Sequence, residues 1–424
     1  MATGRANILS ASKPIWPTSV PSGGDEHYRN SDGIIFMTLG KVLHIIPSLA
    51  SVHGGPTYAV MAMMTNLNDK GFTNFVALSD DDGPGQRLPA NAPERQLKNR
   101  FYFPKVFDFY TYTPAMAGWL KTHIRDFDLV HIHGLFSYVN ILAGRVCHQQ
   151  KVPYLVTPHG MANRYGMSHK PFRKAISFRF LERPLLNKAK AIHLTSQDEV
   201  SDFANHKITT DIRMIPLLVT PVLGENLDIP ISDKKSSHIR QILFMGRLNP
   251  IKNLEAVLAA LAQPDMANYH LLVCGEGEPS YKAHLRAKAK QLNIDSRIKW
   301  FGFVDGDKKA ELFAQSDLFI LPSFSESFGI VAIEAISAGL PLVLSHHVAN
   351  AQMLSDSGLA KITDTSPASI AKELRAVSDW KNQSFIRKAR IYFSTFYDET
   401  MISESLAILY KDILTLDKNR TDSN

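Results

Sequence analysis

The chain of 424 residues has few cysteines and lacks the patterns of several common protein classes. Its two cysteines, Cys147 and Cys274, lie far apart in apolar segments, with no CxxC pair and no metal-ligand spacing. This usage predicts two buried, reduced thiols in a reducing compartment. No apolar run reaches the roughly 20 residues that span a bilayer. Residues 1–36 are rich in Ser, Pro and Gly and lack the apolar core of a signal peptide. We therefore expect a cytoplasmic protein.

Phosphate-binding fingerprints are also missing. There is no GxxxxGK[ST] loop, and the GxG at residues 275–277 lacks the rest of the dinucleotide fingerprint. Three Asp-x-Asp pairs occur, the pattern with which one class of sugar-transfer enzymes holds a metal. They are Asp80/Asp82, Asp126/Asp128 and Asp305/Asp307. Three matches in one chain show how readily the pattern arises by chance, and we predict no metal site.

The pattern along the chain predicts two α/β domains. Hydrophobic content is 45% and charged content 21%, both ordinary for a globular protein. Short apolar runs alternate with helical stretches from Lys41, and the alternation restarts after a polar, irregular stretch at 222–237. The expected strands are Val42–Ile46, Phe75–Leu78, Leu129–Ile132, Tyr154–Thr157, Ala191–Leu194, Gln241–Phe244, His270–Val273, Ile298–Phe301, Leu318–Leu321 and Pro341–Leu344. Such alternation is typical of parallel sheets covered by helices on both faces.

We accordingly expect two Rossmann-like domains that face a cleft. The predicted divisions are a disordered leader at 1–39, an N-terminal domain at 40–221, a linker at 222–237, a C-terminal domain at 238–383, and helices at 384–424 that pack back on the N-terminal domain.

Residues 321–341, LPSFSESFGIVAIEAISAGLP, carry the most functional information. A strand end is followed by a polar turn with Glu326, then by Phe328-Gly329 and an apolar helix with Glu334. Eight helical residues span about 12 Å, so the two glutamates suit opposite ends of an elongated ligand. Free N–H groups at the helix start favour an anion between them. A nucleotide-sugar has this shape; the alternative is an ordinary surface turn followed by a helix.

Two further loops follow predicted strands, where open α/β sheets bind ligands. Arg247 and Lys252 can bring two positive charges to one diphosphate, which removes the need for a metal; the alternative is plain surface charge. His159-Gly160 follows Tyr154–Thr157, and its imidazole can bond a sugar hydroxyl or a reacting oxygen. A structural histidine is the alternative there. His133 has the same placement, whereas His131 alternates into the sheet and is expected to be structural.

These segments together resemble the retaining glycosyltransferases of the GT-B fold, the GT4-like group. The resemblance rests on PSxSESFGxxxxEAxxxGxP, on Gly246-Arg247-x4-Lys252-Asn253, on His159-Gly160 and on Gly54-Gly55 after the first strand. It covers about residues 40–416 and implies two Rossmann-like domains, the first binding the acceptor and the second binding the donor.

The resemblance implies a role for each matching position. His159, Glu326, Arg247 and Lys252 would be catalytic. Donor contacts would come from Gly55, Arg247, Lys252, Val304, Glu326, Phe328, Gly329, Ile330, Val331 and Glu334. Among these, Arg247 and Lys252 would hold the diphosphate, Glu334 the ribose and Glu326 the sugar hydroxyls, with the base near Phe303 and Val304. Acceptor contacts would come from His133 and Arg164.

The resemblance implies transfer of a sugar from a UDP- or GDP-sugar, used as a substrate rather than a cofactor. The acceptor would be a glycan or a lipid-linked saccharide, in the synthesis of cell-surface polysaccharide or lipopolysaccharide. No cofactor and no metal are expected. Two alternatives stay open: an epimerase or phosphorylase on the same fold, although no convincing pyridoxal-phosphate lysine is found, and a non-catalytic nucleotide-sugar binding protein.

The net charge of +7 indicates an anionic partner. Residues 168–190 concentrate basic side chains and interleave them with aromatic and aliphatic ones. This composition suits an amphipathic helix resting on anionic lipid, so we expect peripheral association with the inner face of the cytoplasmic membrane. The alternative is a solvated basic helix packed on its own domain. Nucleic acid is not expected, since no binding motif accompanies the charge.

Overall fold

The computed structural model describes residues 27–29, 35–50, 53–83, 85–168, 171–223 and 239–421. Within the leader, for which the sequence predicts no regular structure, β1 (His27–Arg29) and β2 (Ile35–Met37) pair as antiparallel strands. The remainder of the leader before Ile35 and residues 224–238 of the predicted linker lie outside the described residues.

The N-terminal domain is built on a seven-stranded parallel sheet with the order β5-β4-β3-β6-β7-β8-β9. Its strands are β3 (Gly40–Ile45), β4 (Phe72–Ser79), β5 (Arg100–Phe103), β6 (Leu129–His133), β7 (Tyr154–Thr157), β8 (Ala191–Leu194) and β9 (Ile212–Met214). Its helices are α1 (Gly55–Asn68), α2 (Ala115–His123), α3 (Tyr138–Gln150), α4 (Arg164–Ser168), α5 (Pro171–Ser177), α6 (Arg183–Lys188) and α7 (Gln197–Phe203).

The C-terminal domain has a six-stranded parallel sheet with the order β12-β11-β10-β13-β14-β15. Its strands are β10 (Arg240–Met245), β11 (Tyr269–Cys274), β12 (Ile298–Gly302), β13 (Leu318–Leu321), β14 (Leu342–Ser345) and β15 (Ala360–Thr363). The helices that follow are α8 (Leu254–Leu261), α9 (Pro279–Gln291), α10 (Gly306–Gln315), α11 (Ile330–Ser337), α12 (Ala351–Asp356), α13 (Pro367–Val377), α14 (Gln383–Phe396) and α15 (Glu399–Thr421).

Two parallel sheets with helices between their strands confirm the α/β prediction. In these two parallel sheets, the strands that the sequence pattern missed are β5, β9 and β15, and each lies at the edge of its sheet. An edge strand is short and partly solvated, so its apolar run is weaker than that of a central strand. In β9, the side chains of Arg213 and Met214 are exposed.

The chain order of the strands reverses beside β3 in the first sheet and beside β10 in the second. β3 lies between β4 and β6, and β10 lies between β11 and β13. At such a reversal the loops leave in opposite directions and open a crevice outside the carboxyl ends of the strands. The loop after β3 in the first domain and the loops after β10 and β13 in the second therefore lie where open α/β sheets bind ligands.

Only one of the two C-terminal helices crosses back to the N-terminal domain. α14 stays on the C-terminal domain, where Ile386 contacts Gly339 just beyond α11. α15 packs on the N-terminal domain, with the buried ring of Tyr410 edge-on to Phe72 at 5.4 Å. The prediction that residues 384–424 pack on the N-terminal domain therefore holds for α15 and not for α14, because the chain crosses between the domains at the turn that joins these two helices.

The thiols of Cys147 and Cys274 are free and buried, as predicted. Among the residues that the structure describes, no helix combines the length and the apolar character needed to cross a bilayer.

Candidate active site

The loops after β10 and β13 meet at the cleft and bring two predicted donor residues together. Asn249 caps a single helical turn, its side chain accepting from the N–H of Ile251 at 3.1 Å, and this turn carries Lys252. The carbonyl of Ile251 accepts from the N–H of Phe324 at 2.7 Å. The Lys252 ammonium forms an ion pair with the Glu326 carboxylate. The Lys252 cation and the Glu326 anion therefore lie side by side at the carboxyl ends of the strands of the second sheet.

Glu326 is held by its backbone on both sides. Its N–H donates to the carbonyl of His347 at 3.0 Å, and its carbonyl accepts from the N–H of Ala349 at 2.9 Å. These two bonds extend the sheet by one bridge next to β14. Because they do not involve the side chain, the carboxylate can exchange partners without loss of the loop's position.

The helix α11 begins at the cleft, and no side chain caps its first N–H groups. Its N-cap is Gly329, which has no side chain and adopts φ +76°, a left-handed conformation that disfavours other residues. Since no side chain caps this end, the N–H groups of Ile330 and Val331 have no acceptor within the helix. Such an end carries partial positive charge and favours an anion.

Glu334 lies one turn into α11 and is 8% exposed. Its Oε1 pairs with the ammonium of Lys309 on α10 at 2.5 Å. Its Oε2 is buried and has no hydrogen-bond partner within the described part of the chain. Burial raises the pKa of this carboxyl, while the Lys309 charge opposes the rise. This oxygen can accept a hydrogen bond from a group that enters the cleft.

The first-domain loop after β3 closes over this helix start. A Cβ atom at Gly55 would lie 3.7 Å from the side chain of Ile330, so the two helix N-termini face each other. Tyr58 lies one turn further along α1. Burial raises the pKa of its phenol, and the negative charges of Asp305 and Glu334 raise it further. The predicted Gly55 contact therefore lies at the centre of the cleft.

His159 and Gly160 reach the same place from β7. His159 adopts φ +53° and Gly160 adopts φ +71°, two successive left-handed residues that turn the chain sharply. The N–H of Gly160 donates to the Glu199 carboxylate at 2.6 Å, and the other Glu199 oxygen accepts from the N–H of Thr195 at 2.8 Å. Burial raises the pKa of Glu199, and these hydrogen bonds oppose the rise. Glu199 thus clamps the turn that aims His159.

The His159-Gly160 turn abuts the loop of the other domain that carries Glu326 and Ser327. A Cβ atom at Gly160 would overlap the side chain of Ser327, the residue after Glu326. Three further bonds cross the cleft nearby: Asn163 Nδ2 to Ser325 Oγ at 3.1 Å, Ser196 Oγ to the Ser327 carbonyl at 3.4 Å, and the Asn350 N–H to Asp198 Oδ2 at 3.0 Å. The two domains are therefore closed on each other along this side.

The remaining predicted residues have different placements. Arg247 is exposed beyond β10, and no partner for its guanidinium is found among the described residues. Val304 follows β12 and is partly buried against the core below the cleft. Arg164 begins α4, and its side chain lies outside what the structure describes. His133 is fully buried, with one ring nitrogen bonded to His44 at 2.9 Å and the other to His159 at 3.2 Å.

That placement of His133 departs from the predicted contact with an acceptor. Both of its ring nitrogens are already bonded, so the side chain supports His159 from behind and presents no nitrogen to the cleft.

Three buried histidines, His44, His131 and His133, come close enough for a shared metal. Each ring nitrogen in this group already has a partner. His44 bonds Asn74 and His133, and His131 bonds Tyr410 and Thr157. A hydrogen-bonded network accounts for these histidines without an ion.

Sequence reasoning missed Lys309, Ser327 and Glu199. Lys309 follows Lys308 on a helix whose first residues are mostly charged, and nothing in the sequence distinguishes it as the partner of Glu334. The pattern Ser196-x-x-Glu199 does match a capping box, and Ser196 Oγ accepts from the Glu199 N–H at 3.2 Å. The box predicts where α7 begins, but the bond from Gly160 depends on tertiary structure.

The match to known families agrees with this geometry. The model of the family described as "Glycosyl transferases group 1" matches residues 229–391, and that of the "Glycosyl transferase 4-like domain" matches residues 54–217. The chain belongs to the group 1, GT4-like glycosyltransferases. The two matches divide the chain where its two sheets divide, so the resemblance to this family is confirmed.

Individual relatives are distant. The chain is 27% identical over 256 residues to the D-inositol 3-phosphate glycosyltransferase of Corynebacterium glutamicum (strain R), a match that covers 55% of this chain and only 59% of that enzyme. It is 23% identical over 384 residues to the GDP-mannose:cellobiosyl-diphosphopolyprenol alpha-mannosyltransferase of Komagataeibacter xylinus, covering 88% and 93% of the two chains.

Among solved structures, Anabaena HepE in complex with UDP and glucose superposes with a TM-score of 0.68. The identity is 18%, and the superposition covers 88% of this chain and all of the other. Similarity at that identity establishes the shared fold, which confirms the GT-B architecture.

Proposed function

We propose that this glycosyltransferase moves a sugar from a UDP- or GDP-sugar to a glycan or lipid-linked saccharide, with retention of the anomeric configuration. One observation carries the proposal: the Lys252–Glu326 pair, the open start of α11 and the His159-Gly160 turn meet at one point of the closed cleft. The complex of HepE with UDP and glucose supports a nucleotide-sugar donor in a cleft of this fold.

Each group in the cleft fits one part of such a donor. The diphosphate lies between the start of α11 and the cations Lys252 and Arg247, where charge-assisted bonds are strongest. The ribose hydroxyls bond the free oxygen of Glu334. The Glu326 carboxylate accepts from hydroxyls of the sugar once the diphosphate has drawn Lys252 away. The nucleobase takes the loop at Phe303 and Val304.

In the proposed reaction, the bond between the anomeric carbon and the β-phosphate oxygen breaks while the acceptor hydroxyl attacks from the same face. The hydroxyl proton passes to the departing phosphate oxygen. Lys252, Arg247 and the N–H groups of α11 stabilise the charge that develops on the leaving diphosphate. Two cations and a helix start supply the positive charge without a metal, and closure of the domains excludes water.

A donor panel tests the proposal. The purified full chain is incubated with UDP- and GDP-sugars and EDTA, with and without lipid-linked saccharides, and release of the nucleoside diphosphate is followed. We expect release to depend on an acceptor, and the NMR spectrum of the product to show the donor's anomeric configuration. An inverted product would contradict retention. Turnover without an acceptor would indicate an epimerase, and donor binding without any product would indicate a binding protein.

We further propose that the acceptor is displayed at the inner face of the cytoplasmic membrane. A basic–aromatic surface, defined by Phe107, Phe109, Phe172, Ile176 and Phe180 with Arg173 and Arg179, supports this placement. Its aromatic side chains are strongly exposed: 63% for Phe107, 72% for Phe109, 77% for Phe172 and 65% for Phe180.

The two halves of that surface are tied together. The Tyr110 hydroxyl, next to Phe109, contacts Ser177 and donates to the buried Glu182 carboxylate at 3.2 Å. Glu182 ends a π-helical turn over residues 178–182 between α5 and α6. Exposed aromatic rings beside arginines suit the interface of an anionic bilayer. The diphosphopolyprenol acceptor named for the Komagataeibacter relative supports a lipid-linked substrate.

We expect the double substitution Phe172→Ser/Phe180→Ser to lower binding to anionic liposomes by at least about 10-fold, since two partly inserted phenyl rings are lost. Flotation at low salt measures the bound fraction. The matched control is Ile391→Ser/Ile408→Ser, which removes two side chains of 59% and 56% exposure from the C-terminal helices and should leave flotation unchanged. Wild-type protein that stays in the soluble fraction would count against the membrane placement.

A further inference from the structure

A row of buried histidines lies on the face of the first sheet that α1 and α15 cover. His44 is on β3, His131 and His133 are on β6, and His193 is on β8; all four are fully buried. Their ring nitrogens form two separate hydrogen-bond chains. One of these chains ends at His159 in the cleft.

The direction of that chain is set at Asn74. Its Nδ2 donates to the Met64 carbonyl at 3.2 Å and to Asn68 Oδ1 at 2.8 Å. Because a carbonyl oxygen only accepts, the amide nitrogen must face Met64, and Oδ1 must face His44 Nε2 at 3.0 Å. His44 therefore donates from Nε2.

The proton positions then follow one from another. Burial lowers the pKa of His44 to about 4, so its ring is neutral and carries a single proton at neutral pH. Its Nδ1 must accept, and the donor is His133 Nε2 at 2.9 Å. Burial also holds the pKa of His133 well below its usual value. His133 Nδ1 must likewise accept, and the donor is His159 Nε2 at 3.2 Å.

We infer that the three residues behind His159 are positioning residues, which hold its ring as the tautomer protonated on Nε2 and bare on Nδ1. These residues are Asn74, His44 and His133. Within the described residues, Nδ1 of His159 has no hydrogen-bond partner. A bare nitrogen accepts a hydrogen bond, so its ligand is a group that donates one; that this group is a hydroxyl of the donor sugar rests on the proposed function.

This assignment gives His159 one role among those the sequence left open. Burial lowers the pKa of His159 to about 3, so its ring is neutral at neutral pH. A neutral ring whose only proton is directed backwards cannot donate to the departing phosphate. Its bare nitrogen can only accept a hydrogen bond, and under the proposed function the group that donates this bond is a hydroxyl of the donor sugar. The left-handed turn clamped by Glu199 aims the ring, and the chain behind it decides which nitrogen is bare.

The second chain runs parallel to the first and provides the control. The His193 Nε2–H donates to the Ile215 carbonyl at 2.7 Å, and its Nδ1 accepts from Thr157 Oγ1 at 2.9 Å. Thr157 Oγ1 in turn accepts from His131 at 2.7 Å, and His131 accepts from the Tyr410 hydroxyl at 2.6 Å. This chain joins α15 to the sheet and never enters the cleft.

The experiment uses the full chain, deuterated and carrying ¹⁵N-histidine, and two-bond ¹⁵N–¹H correlation spectra that report which nitrogen of each ring is protonated. His159→Gln identifies the His159 signal by its absence. We expect a single Nε2-protonated form in the wild type and a mixture of tautomers in Asn74→Leu and in His44→Phe. The matched variant His193→Phe, which also replaces a fully buried histidine on the same sheet face, should leave the His159 tautomer unchanged.

Transfer kinetics give the second measurement. The two chain-breaking variants should lose about 5-fold or more in kcat, the size of one neutral hydrogen bond, while His193→Phe keeps the wild-type kcat. A wild-type His159 protonated on Nδ1 would overturn the inference, as would an unchanged tautomer in both chain-breaking variants. If the wild type transfers no sugar, the proposed function fails, but the spectra still decide the tautomer.

Discussion

Lys252→Ala should lower the rate of sugar transfer by at least about 100-fold while leaving the fold intact. Loss of one preorganised group that stabilises developing charge costs this much in enzymes that depend on electrostatic catalysis. The helical turn is held by Asn249 and by the Phe324–Ile251 backbone bond, neither of which involves the lysine side chain. The melting temperature should therefore stay within about 3 °C of the wild type. Initial rates at saturating donor and thermal melts measure the two quantities.

Glu326→Ala should show the same separation of activity from stability, since its loop is fixed by backbone bonds to His347 and Ala349. The matched control is Lys372→Ala, which removes a lysine that is 75% exposed on α13 and should change neither quantity. Normal transfer by both Lys252→Ala and Glu326→Ala would refute the donor site.

Gly160→Ala should lower kcat by roughly 100-fold, because it obstructs domain closure. The added methyl group overlaps the Ser327 side chain across the cleft, and a displacement of about 1 Å at a reacting centre can cost 100-fold. The substitution also strains a backbone at φ +71°. Steady-state kinetics with the preferred donor and acceptor measure the loss.

Two variants separate the overlap from the backbone strain. Gly85→Ala places alanine at φ +69°, where nothing lies within 4 Å of the new methyl group, so it carries the strain alone and should keep the wild-type kcat. Ser327→Gly in the Gly160→Ala background removes the obstructing atoms and should recover most of the activity. Wild-type kcat in Gly160→Ala, or no recovery in the double variant, would argue against closure at this contact.

Much of the proposed donor site could be predicted because it follows from local chemistry. The sequence around 321–341 predicts a strand that ends at Leu321, a helix start at Gly329 and a helix that carries Glu334. The structure has all three at these positions. The strand predicted at Pro341–Leu344 begins one residue later in the structure, at Leu342. The reason is that Pro341 has no N–H to pair, although its carbonyl accepts from the N–H of Phe319.

The side of the cleft formed by the first domain was harder to predict, because its contacts join residues far apart in sequence. His133 looked like His159 in sequence, since both follow a strand and precede a glycine. Only the structure distinguishes them, because His133 is fully buried and bonds two other histidines, whereas His159 is 8% exposed. Likewise, nothing local reveals that Asn74 on β4 lies at the start of a chain leading to the cleft.

The sequence alone determined the family, the two parallel sheets and the residues that suit a diphosphate, because strand periodicity, helix starts and charged loops depend on neighbours along the chain. Tertiary structure decided which of these residues meet: Lys252 with Glu326, Gly160 with Ser327, and His159 with the buried histidines. It also decided that α15, and not α14, returns to the first domain. The physical reason is that a hydrogen bond or a steric contact depends on distances in space, which two folded domains fix only when they pack together.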